Sequence, residues 1–383
     1  MGDSAPRPTM ASSTDVLPAN LDQRQHNFSA GPGALPTEVL EEVRDELPAF
    51  PGVGASVVEI SHRSPAYTEI HERAAERMRR LLGMGDDWHV LFLQSGASLQ
   101  FYQVPLNFLP PGGVASYLDT GRWSAKAIDE AEIVARDRDA RVNVAASSRE
   151  ADYTFVPRPS DWQVDPAATY LHFTSNNTIY GTQFREAPTV DVPLVCDASS
   201  DFLSRPIEVG RYGLIYAGAQ KNIGPAGVTA VLVRDDFLQT RQPGLPTLLD
   251  YGTHAAKLFH TPPVFAVYVV DKVLAWIERH GGLAGMVERN RAKVDRLYGA
   301  IDASDFYTGT VEPESRSHMN VTFRLPSEAL EAQFLEEAKR EGLLALKGHR
   351  SVGGIRASIY NAVEPRSVER LVDFMRRFEA GRG

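Results

Sequence analysis

Short apolar runs alternate with segments of helical periodicity through most of the chain. The runs lie at residues 88–93, 114–118, 170–173, 192–196, 214–217 and 229–233. Most are apolar throughout, which is typical of strands in a parallel sheet that helices cover on both faces. Helical segments separate several of them, for example residues 124–135. The alternation predicts an α/β fold that binds its ligand at the carboxyl ends of the strands.

Beyond a long apolar helix predicted at residues 263–280, which two glycines terminate, the chain contains fewer apolar strand-like runs. A strand at 319–325, a helix at 327–341, a strand at 355–360 and a last amphipathic helix follow. We therefore predict a large domain over residues 26–280 and a smaller α+β domain over residues 281–383. The segment 26–40 is expected to pack on the small domain.

Residues 1–25 contain three prolines, many small polar residues and no aromatic residue. Such a segment buries too little surface to offset its ordering entropy, so we predict a disordered tail. The tail also lacks the continuous apolar core of a secretory signal peptide.

Composition narrows the class of protein. The 383 residues include 40 Lys and Arg against 49 Asp and Glu, a net charge of −9, which argues against a nucleic acid or an anionic membrane as partner. The apolar stretch at 264–270 is far shorter than the roughly 20 residues of a spanning helix. The single cysteine, Cys196, excludes an intramolecular disulfide and fits a cytoplasmic location.

Several common catalytic signatures are missing from the sequence. It has no GxxxxGK[ST] phosphate loop, no HExxH zinc motif and no GxSxG nucleophile turn. The glycines at 52 and 54 begin like a dinucleotide fingerprint, but Val57 stands at the third glycine position. Nicotinamide chemistry and zinc hydrolysis are therefore disfavoured.

A carboxylate and a lysine follow two successive predicted strands. Asp197 ends the run 192–196, where a carboxylate is costly unless it is paired. Lys221 lies 24 residues further on, among small residues and glycines, where partial desolvation would lower its pKa and make its amine nucleophilic. Taken alone, Asp197 could be a helix cap or part of a structural ion pair, and Lys221 could be a solvated surface charge. Together they are what a pyridoxal phosphate site needs.

A phosphate site is predicted where the run 88–93 leads into a helix. The segment Ser95, Gly96, Ala97 and Ser98 forms a tight turn before that helix. Backbone N–H groups at a helix N-terminus and the Ser98 hydroxyl can bind an anion. The signal is weak by itself, because many such turns contain Gly and Ser.

A set of longer motifs resembles the phosphoserine aminotransferases. The motifs are NFSAGP at 27–32, SHRS at 61–64, GASLQF at 96–101, TSNNTIYG at 174–181, LSRP at 203–206, YAGAQKNIGPAG at 216–227, TPP at 261–263, KGHR at 347–350 and GGIRASIYN at 353–361. The resemblance runs from about Asn27 to the C-terminus. It implies the fold-type I architecture of the class V branch, with a seven-stranded, mostly parallel sheet, and a homodimer with active sites at the subunit interface.

The resemblance also implies roles for single residues around pyridoxal 5'-phosphate. It assigns Lys221 to the Schiff base, Asp197 to the pyridine nitrogen and Trp123 to the ring face as catalytic residues. The remaining cofactor-binding positions are Ala97, Ser98, Thr178, Gln220, His260 and Thr261, the last supplied by the partner subunit. Two positions depart from common family patterns: His260 replaces an Asn, and Ala97 with Ser98 replaces a Gly-Arg pair found in another branch.

Substrate binding is expected to depend on local cations, because the chain is acidic overall. The planar guanidinium of Arg356 suits a substrate α-carboxylate. The resemblance assigns the substrate phosphate, or the side-chain carboxylate of glutamate, to two His-Arg pairs. These are His62 with Arg63, from the partner, and His349 with Arg350. No metal is expected.

The resemblance thus implies transamination between L-glutamate and 3-phosphohydroxypyruvate, giving O-phospho-L-serine and 2-oxoglutarate, with 4-phosphohydroxythreonine as a further candidate substrate. Another class V transaminase, of the alanine/serine–glyoxylate type, and a non-catalytic protein that binds pyridoxal phosphate remain alternatives. A cysteine desulfurase is disfavoured, because Cys196 falls inside a predicted core strand.

Overall fold

The computed structural model describes residues 24–382 of the chain. The predicted tail therefore lies outside the described residues except for positions 24 and 25. The strands are β1 (His26–Asn27), β2 (Trp88–Gln94), β3 (Val114–Asp119), β4 (Arg141–Ser147), β5 (Ala168–Thr174), β6 (Leu194–Asp197), β7 (Tyr212–Gly218), β8 (Val228–Arg234), β9 (Thr308–Gly309), β10 (Asn320–Arg324), β11 (Leu343–Leu344) and β12 (Ile355–Ser358). The α-helices are α1 (Thr37–Glu46), α2 (Pro65–Leu82), α3 (Ser98–Phe108), α4 (Arg122–Asp137), α5 (Asp235–Gln239), α6 (Tyr251–Ala256), α7 (Val264–Arg279), α8 (Gly282–Asp302), α9 (Glu328–Arg340) and α10 (Pro365–Ala380).

A seven-stranded sheet forms the centre of the molecule, in the order β2-β8-β7-β6-β5-β3-β4. The pairs from β7 to β4 are parallel, whereas β8 runs antiparallel to both of its neighbours. Helices α1, α2 and α7 contribute to the apolar cluster on one face, and α3 and α4 to the cluster on the other. The predicted mostly parallel sheet with two covered faces is confirmed.

Register places the candidate carboxylate at one edge of this sheet. Asp197 is the last residue of β6 and pairs with Thr174 at the end of β5 and with Tyr216 in β7. Because parallel strands end at the same edge, the turn after β7 returns Lys221 to the side on which Asp197 lies. The two residues therefore lie at the same edge of the sheet, close enough for their charges to interact, despite their separation in sequence.

A second, antiparallel sheet has the order β12-β10-β9. A separate apolar cluster joins it to α8, α9 and α10, and Phe28 belongs to this cluster. Beside it, β1 pairs with β11. We propose to divide the chain at 280/281, as the sequence suggests, although Leu283 and Met286 in the first turns of α8 still pack against the large sheet.

Two details of the large sheet differ from the sequence analysis. β4 was not predicted, because it is an edge strand whose residues are mostly exposed or half-buried, so its sequence lacks a continuous apolar run. β6 begins at Leu194, two residues later than predicted, directly after Pro193. None of the helices within residues 24–382 combines the length and apolar character that crossing a bilayer requires.

Candidate active site

The ammonium of Lys221 lies at the carboxyl edge of the large sheet and donates a 2.8 Å hydrogen bond to the Thr178 hydroxyl. Burial lowers the pKa of Lys221 from 10.5 to about 8; the charge of Asp197 opposes this shift, and the charge of Arg356 adds to it. About a tenth of this lysine is therefore the free amine at pH 7, far more than for a lysine in water. That form is the nucleophile and the base.

Asp197 is buried, and only one of its two carboxylate oxygens is hydrogen-bonded within the described residues. Its Oδ1 accepts hydrogen bonds from the backbone N–H of Ser199 at 3.0 Å and from the Ser199 hydroxyl at 2.6 Å. Its Oδ2 accepts none from residues 24–382. Burial raises the pKa of Asp197, against the charge of Lys221 and the Ser199 hydrogen bonds. The site thus holds an oriented carboxylate oxygen with capacity for one donor.

Trp123 lies in the first turn of α4, and the centre of its ring is 5.8 Å from Lys221 Nζ. Its indole Nε1 is buried without a hydrogen-bond partner in the described part of the chain. The turn is close-packed, because a Cβ at Gly121 would lie 2.5 Å from Asn177 Oδ1. The indole face is therefore held beside the lysine.

The turn between β2 and α3 has the features of an anion site. Ser95 has φ 118°, a conformation that residues other than glycine rarely adopt. The backbone N–H groups of Ala97 and Ser98 donate to no carbonyl within the described chain, and the Ser98 side chain is exposed. These donors at the start of an 11-residue helix suit a phosphate.

Gln220, directly before the lysine, supplies a further polar group. Its Oε1 is buried and has no partner among the described residues. The side chain folds over Gly218, where a Cβ would lie 2.7 Å from that oxygen. Glycine at 218 therefore permits the inward position of the amide.

Arg356 approaches the same centre from β12. Its Nη1 donates to the Thr178 carbonyl at 3.1 Å, and its Nε is buried without a partner in residues 24–382. Burial lowers the pKa of Arg356, and no carboxylate offsets this shift. Thr178 therefore connects two cations, Lys221 through its hydroxyl and Arg356 through its carbonyl. An unpaired, half-buried guanidinium is suited to binding a carboxylate.

His349 lies beside Arg356, on the loop that precedes β12. Burial, followed by the charges of Arg356 and Arg350, lowers the pKa of His349. The imidazole Nδ1 is hydrogen-bonded to the Ser351 hydroxyl at 2.7 Å. Arg350 is exposed and forms no ion pair with the described carboxylates. His349 and Arg350, the second His-Arg pair, thus lie on the loop beside Arg356.

The structure of one chain does not bring four of the predicted residues to Lys221. His62 and Arg63 lie in the turn before α2, and their side chains form no hydrogen bond or ion pair within residues 24–382. Both ring nitrogens of His260 are buried without partners there, and its ring lies 5.1 Å from that of His254. Thr261 is exposed, and its carbonyl accepts a 2.5 Å hydrogen bond from Gln94.

Sequence reasoning missed residues that orient the candidates. Ser199 binds Asp197 as described, and its spacing of two residues after an aspartate is a common signal for such a turn. Asn222 Oδ1 accepts a 3.0 Å hydrogen bond from the backbone N–H of Asn361. This bond connects the residue after Lys221 to the end of the small sheet. No sequence signal could reveal that pairing.

Known proteins with similar sequences are aminotransferases. The family model described as "Aminotransferase class-V" matches residues 25–371. Phosphoserine aminotransferase of Desulfatibacillum aliphaticivorans is 52% identical over 367 residues, which cover 95% of this chain and 100% of that protein.

Solved structures agree. That of phosphoserine aminotransferase from Bacillus circulans subsp. alkalophilus has a TM-score of 0.91 and 48% identity, covering 94% of this chain and 100% of that one. That of the PLP-bound phosphoserine aminotransferase from Trichomonas vaginalis has a TM-score of 0.89 and 40% identity, covering 92% and 100%. The similarity spans both sheets and all the candidate residues.

Proposed function

The chain belongs to the class V aminotransferase family, and we infer that it acts as a phosphoserine aminotransferase. This activity transfers the amino group of L-glutamate to 3-phosphohydroxypyruvate and gives 2-oxoglutarate and O-phospho-L-serine, a step of serine biosynthesis. The observation that carries the proposed residue roles is the juxtaposition of a partly desolvated lysine with a buried carboxylate that has a free oxygen.

Pyridoxal 5'-phosphate is the cofactor of this activity, and the residues present fit it. The fit rests on groups that are buried or free but unused within residues 24–382: the second oxygen of Asp197, the indole N–H of Trp123, the side-chain Oε1 of Gln220 and the N–H groups of Ala97 and Ser98. These are donors, acceptors and an aromatic face for a phosphorylated aromatic cation. We propose that Lys221 bonds its aldehyde and that Thr178 lies by its ring hydroxyl.

Proton transfer at the substrate Cα is assigned to Lys221. When bound, the cofactor supplies an aldehyde that bonds amines and a ring that withdraws electrons from Cα. With a pKa of about 8, the Lys221 amine would accept the Cα proton near neutral pH and, as its conjugate acid, would deliver it to the carbon that carries the aldehyde in the free cofactor. The Thr178 hydroxyl, 2.8 Å from Nζ, holds this amine in place between the two transfers.

The neighbouring residues orient and shield that proton transfer. Ser199 fixes the Asp197 carboxylate through two hydrogen bonds, so its free oxygen can accept a ring N–H without rearrangement. Trp123 covers the site with an aromatic face and excludes water from it. Arg356 binds the α-carboxylate that both amino acids share, and His349 with Arg350 binds the variable end.

We further propose a homodimer in the cytoplasm. His62, Arg63, His260 and Thr261 form no hydrogen bond with Lys221, Thr178 or Asp197 within the described chain, and a partner copy could bring them to its neighbour's site. The two segments that carry them also expose apolar side chains, at Val53, Val58, Leu248, Leu258 and Phe259. An interface would bury these side chains.

The test is an assay of phosphoserine with 2-oxoglutarate, run beside alanine, serine and 4-phosphohydroxythreonine. The proposal expects phosphoserine to give the highest kcat/KM. Faster turnover of alanine would indicate the glyoxylate-type alternative. Cofactor binding with no turnover of any amino acid would indicate a non-catalytic protein.

A further inference from the structure

The first five residues of α4 include two cations that the activity described so far does not use. Arg122 is the first residue of this 16-residue helix, and Lys126 lies four residues later on the same side. Both side chains are exposed. Neither forms an ion pair with a carboxylate anywhere from Arg24 to Arg382, and the first turn contains no acidic residue.

Both cations lie next to the candidate active site. Lys126 Nζ is 5.1 Å from the centre of the Trp123 ring, and Lys221 Nζ is 5.8 Å from the same point. Arg122 directly precedes Trp123. Their charges also help to lower the pKa of His349. Since α4 packs on the large sheet and the His349 loop leads into β12 of the small sheet, these charges act between the two sheets.

We propose that Arg122 and Lys126 bind the phosphorylated end of the substrate, opposite His349 and Arg350. This inference rests on the proposed function. Arg122, Lys126 and Arg350 are cations with no carboxylate partner in residues 24–382, and His349 lies within reach of their charges. Such a concentration of positive charge favours the binding of a multiply charged anion.

The charge of the substrate distinguishes a phosphate-binding role of Arg122 and Lys126 from a general attraction of anions. A phosphomonoester carries nearly two negative charges at neutral pH, whereas the side chain of glutamate carries one. Removing a cation should therefore weaken phosphoserine binding more than glutamate binding. Screening by salt should reduce the difference, because both cations are exposed.

A structural role for Lys126 is the competing explanation, since its ammonium could hold the Trp123 ring by a cation–π contact. Such a role would change the cofactor absorbance and its affinity, and it would affect both amino acids equally. Lys126→Arg keeps the charge and should restore phosphoserine binding.

The experiment follows the cofactor absorbance of the holoenzyme as it reacts separately with phosphoserine and with glutamate. Variants are Arg122→Gln, Lys126→Met and both together, with Lys339→Gln as the control, because Lys339 is an exposed lysine on α9 that forms no ion pair with the described carboxylates. Half-saturation by phosphoserine should rise about fivefold in each single variant and about 20-fold in the double variant. Half-saturation by glutamate should rise about twofold at most, with limiting rates unchanged.

Three results overturn the inference: variants indistinguishable from Lys339→Gln, equal loss for both amino acids, or altered cofactor affinity alone. A wild-type holoenzyme that reacts with glutamate but not with phosphoserine would instead overturn the proposed function. The two failures are therefore distinguishable.

Discussion

The ammonium of Lys221 is hydrogen-bonded to the hydroxyl of Thr178, at 2.8 Å, and not to a carboxylate. A lysine paired directly with a carboxylate would keep its proton, whereas a neutral hydroxyl orients the amine at a smaller electrostatic cost to deprotonation. The buried charge of Asp197 acts on Lys221 only through space. This arrangement leaves the amine available near neutral pH.

The first prediction concerns the pH dependence of cofactor loading. Because only the free amine of Lys221 attacks an aldehyde, the rate at which apoprotein binds pyridoxal phosphate should rise with pH, with its midpoint near the pKa of about 8 and a plateau above it. Asp197→Asn removes a charge that raises this pKa, so the midpoint should move down. Arg356→Gln removes a charge that lowers it, so the midpoint should move up. Stopped-flow absorbance measures both, and shifts in the opposite directions would contradict the assignment.

The second prediction concerns Ser199→Ala. The hydroxyl donates to Asp197 and accepts a 3.1 Å hydrogen bond from the backbone N–H of Gly218. Its loss leaves a buried N–H unpaired, at a cost of about 1–3 kcal/mol. We expect a lower melting temperature and about tenfold weaker cofactor binding, measured by calorimetry and titration. Ser160→Ala, at an exposed serine bonded to Asp161, is the control and should change neither.

The third prediction concerns Gly33, where the N-terminal segment meets the lysine turn. A Cβ there would lie 2.8 Å from Tyr360 Cδ2 and 2.9 Å from the Lys221 carbonyl oxygen. Gly33→Ala must therefore displace backbone, and overpacking of this kind costs about 1–3 kcal/mol. We expect a kcat about tenfold lower. Gly210→Ala, which meets no atom within 4 Å, should retain wild-type kcat; equal kcat for both variants would show that the contact is unimportant.

The fourth prediction concerns the shared carboxylate. Arg356→Lys keeps the charge but removes the planar fork and the contact with the Thr178 carbonyl. The half-saturating concentrations of phosphoserine and glutamate should rise by a similar factor, about 10-fold or more, because both carry an α-carboxylate. Arg350→Lys is the matched comparison at the variable end. An Arg356→Lys effect restricted to phosphoserine would reassign Arg356 to the phosphate.

The strands of the large sheet could be predicted from sequence, because burial on both faces makes them continuously apolar. The direction of β8 could not, since an antiparallel strand buried on both faces has the same apolar pattern as a parallel one. β4 could not be predicted, because it is an edge strand with few buried residues and therefore has no continuous apolar run. Two-residue strands such as β1 are too short to leave a pattern.

The identities of the main site residues could be predicted from the sequence, but the hydrogen bonds between them could not. Asp197 and Lys221 stand at strand ends, where the fold places ligands. The hydrogen bonds of Thr178 to Lys221 and Arg356 join three distant segments, so they depend on the tertiary structure. The positions of Arg122 and Lys126 were likewise hidden, because an exposed cation on a helix normally indicates only a solvated face.

The central claim is that Lys221 carries the cofactor. Reduction of the holoenzyme with borohydride, followed by proteolysis and peptide mass mapping, tests it most directly. We predict one pyridoxyl adduct per chain, on the peptide that contains Lys221, and none in Lys221→Ala. An adduct on another lysine, such as Lys126 or the buried Lys293, or no adduct at all, would contradict the account.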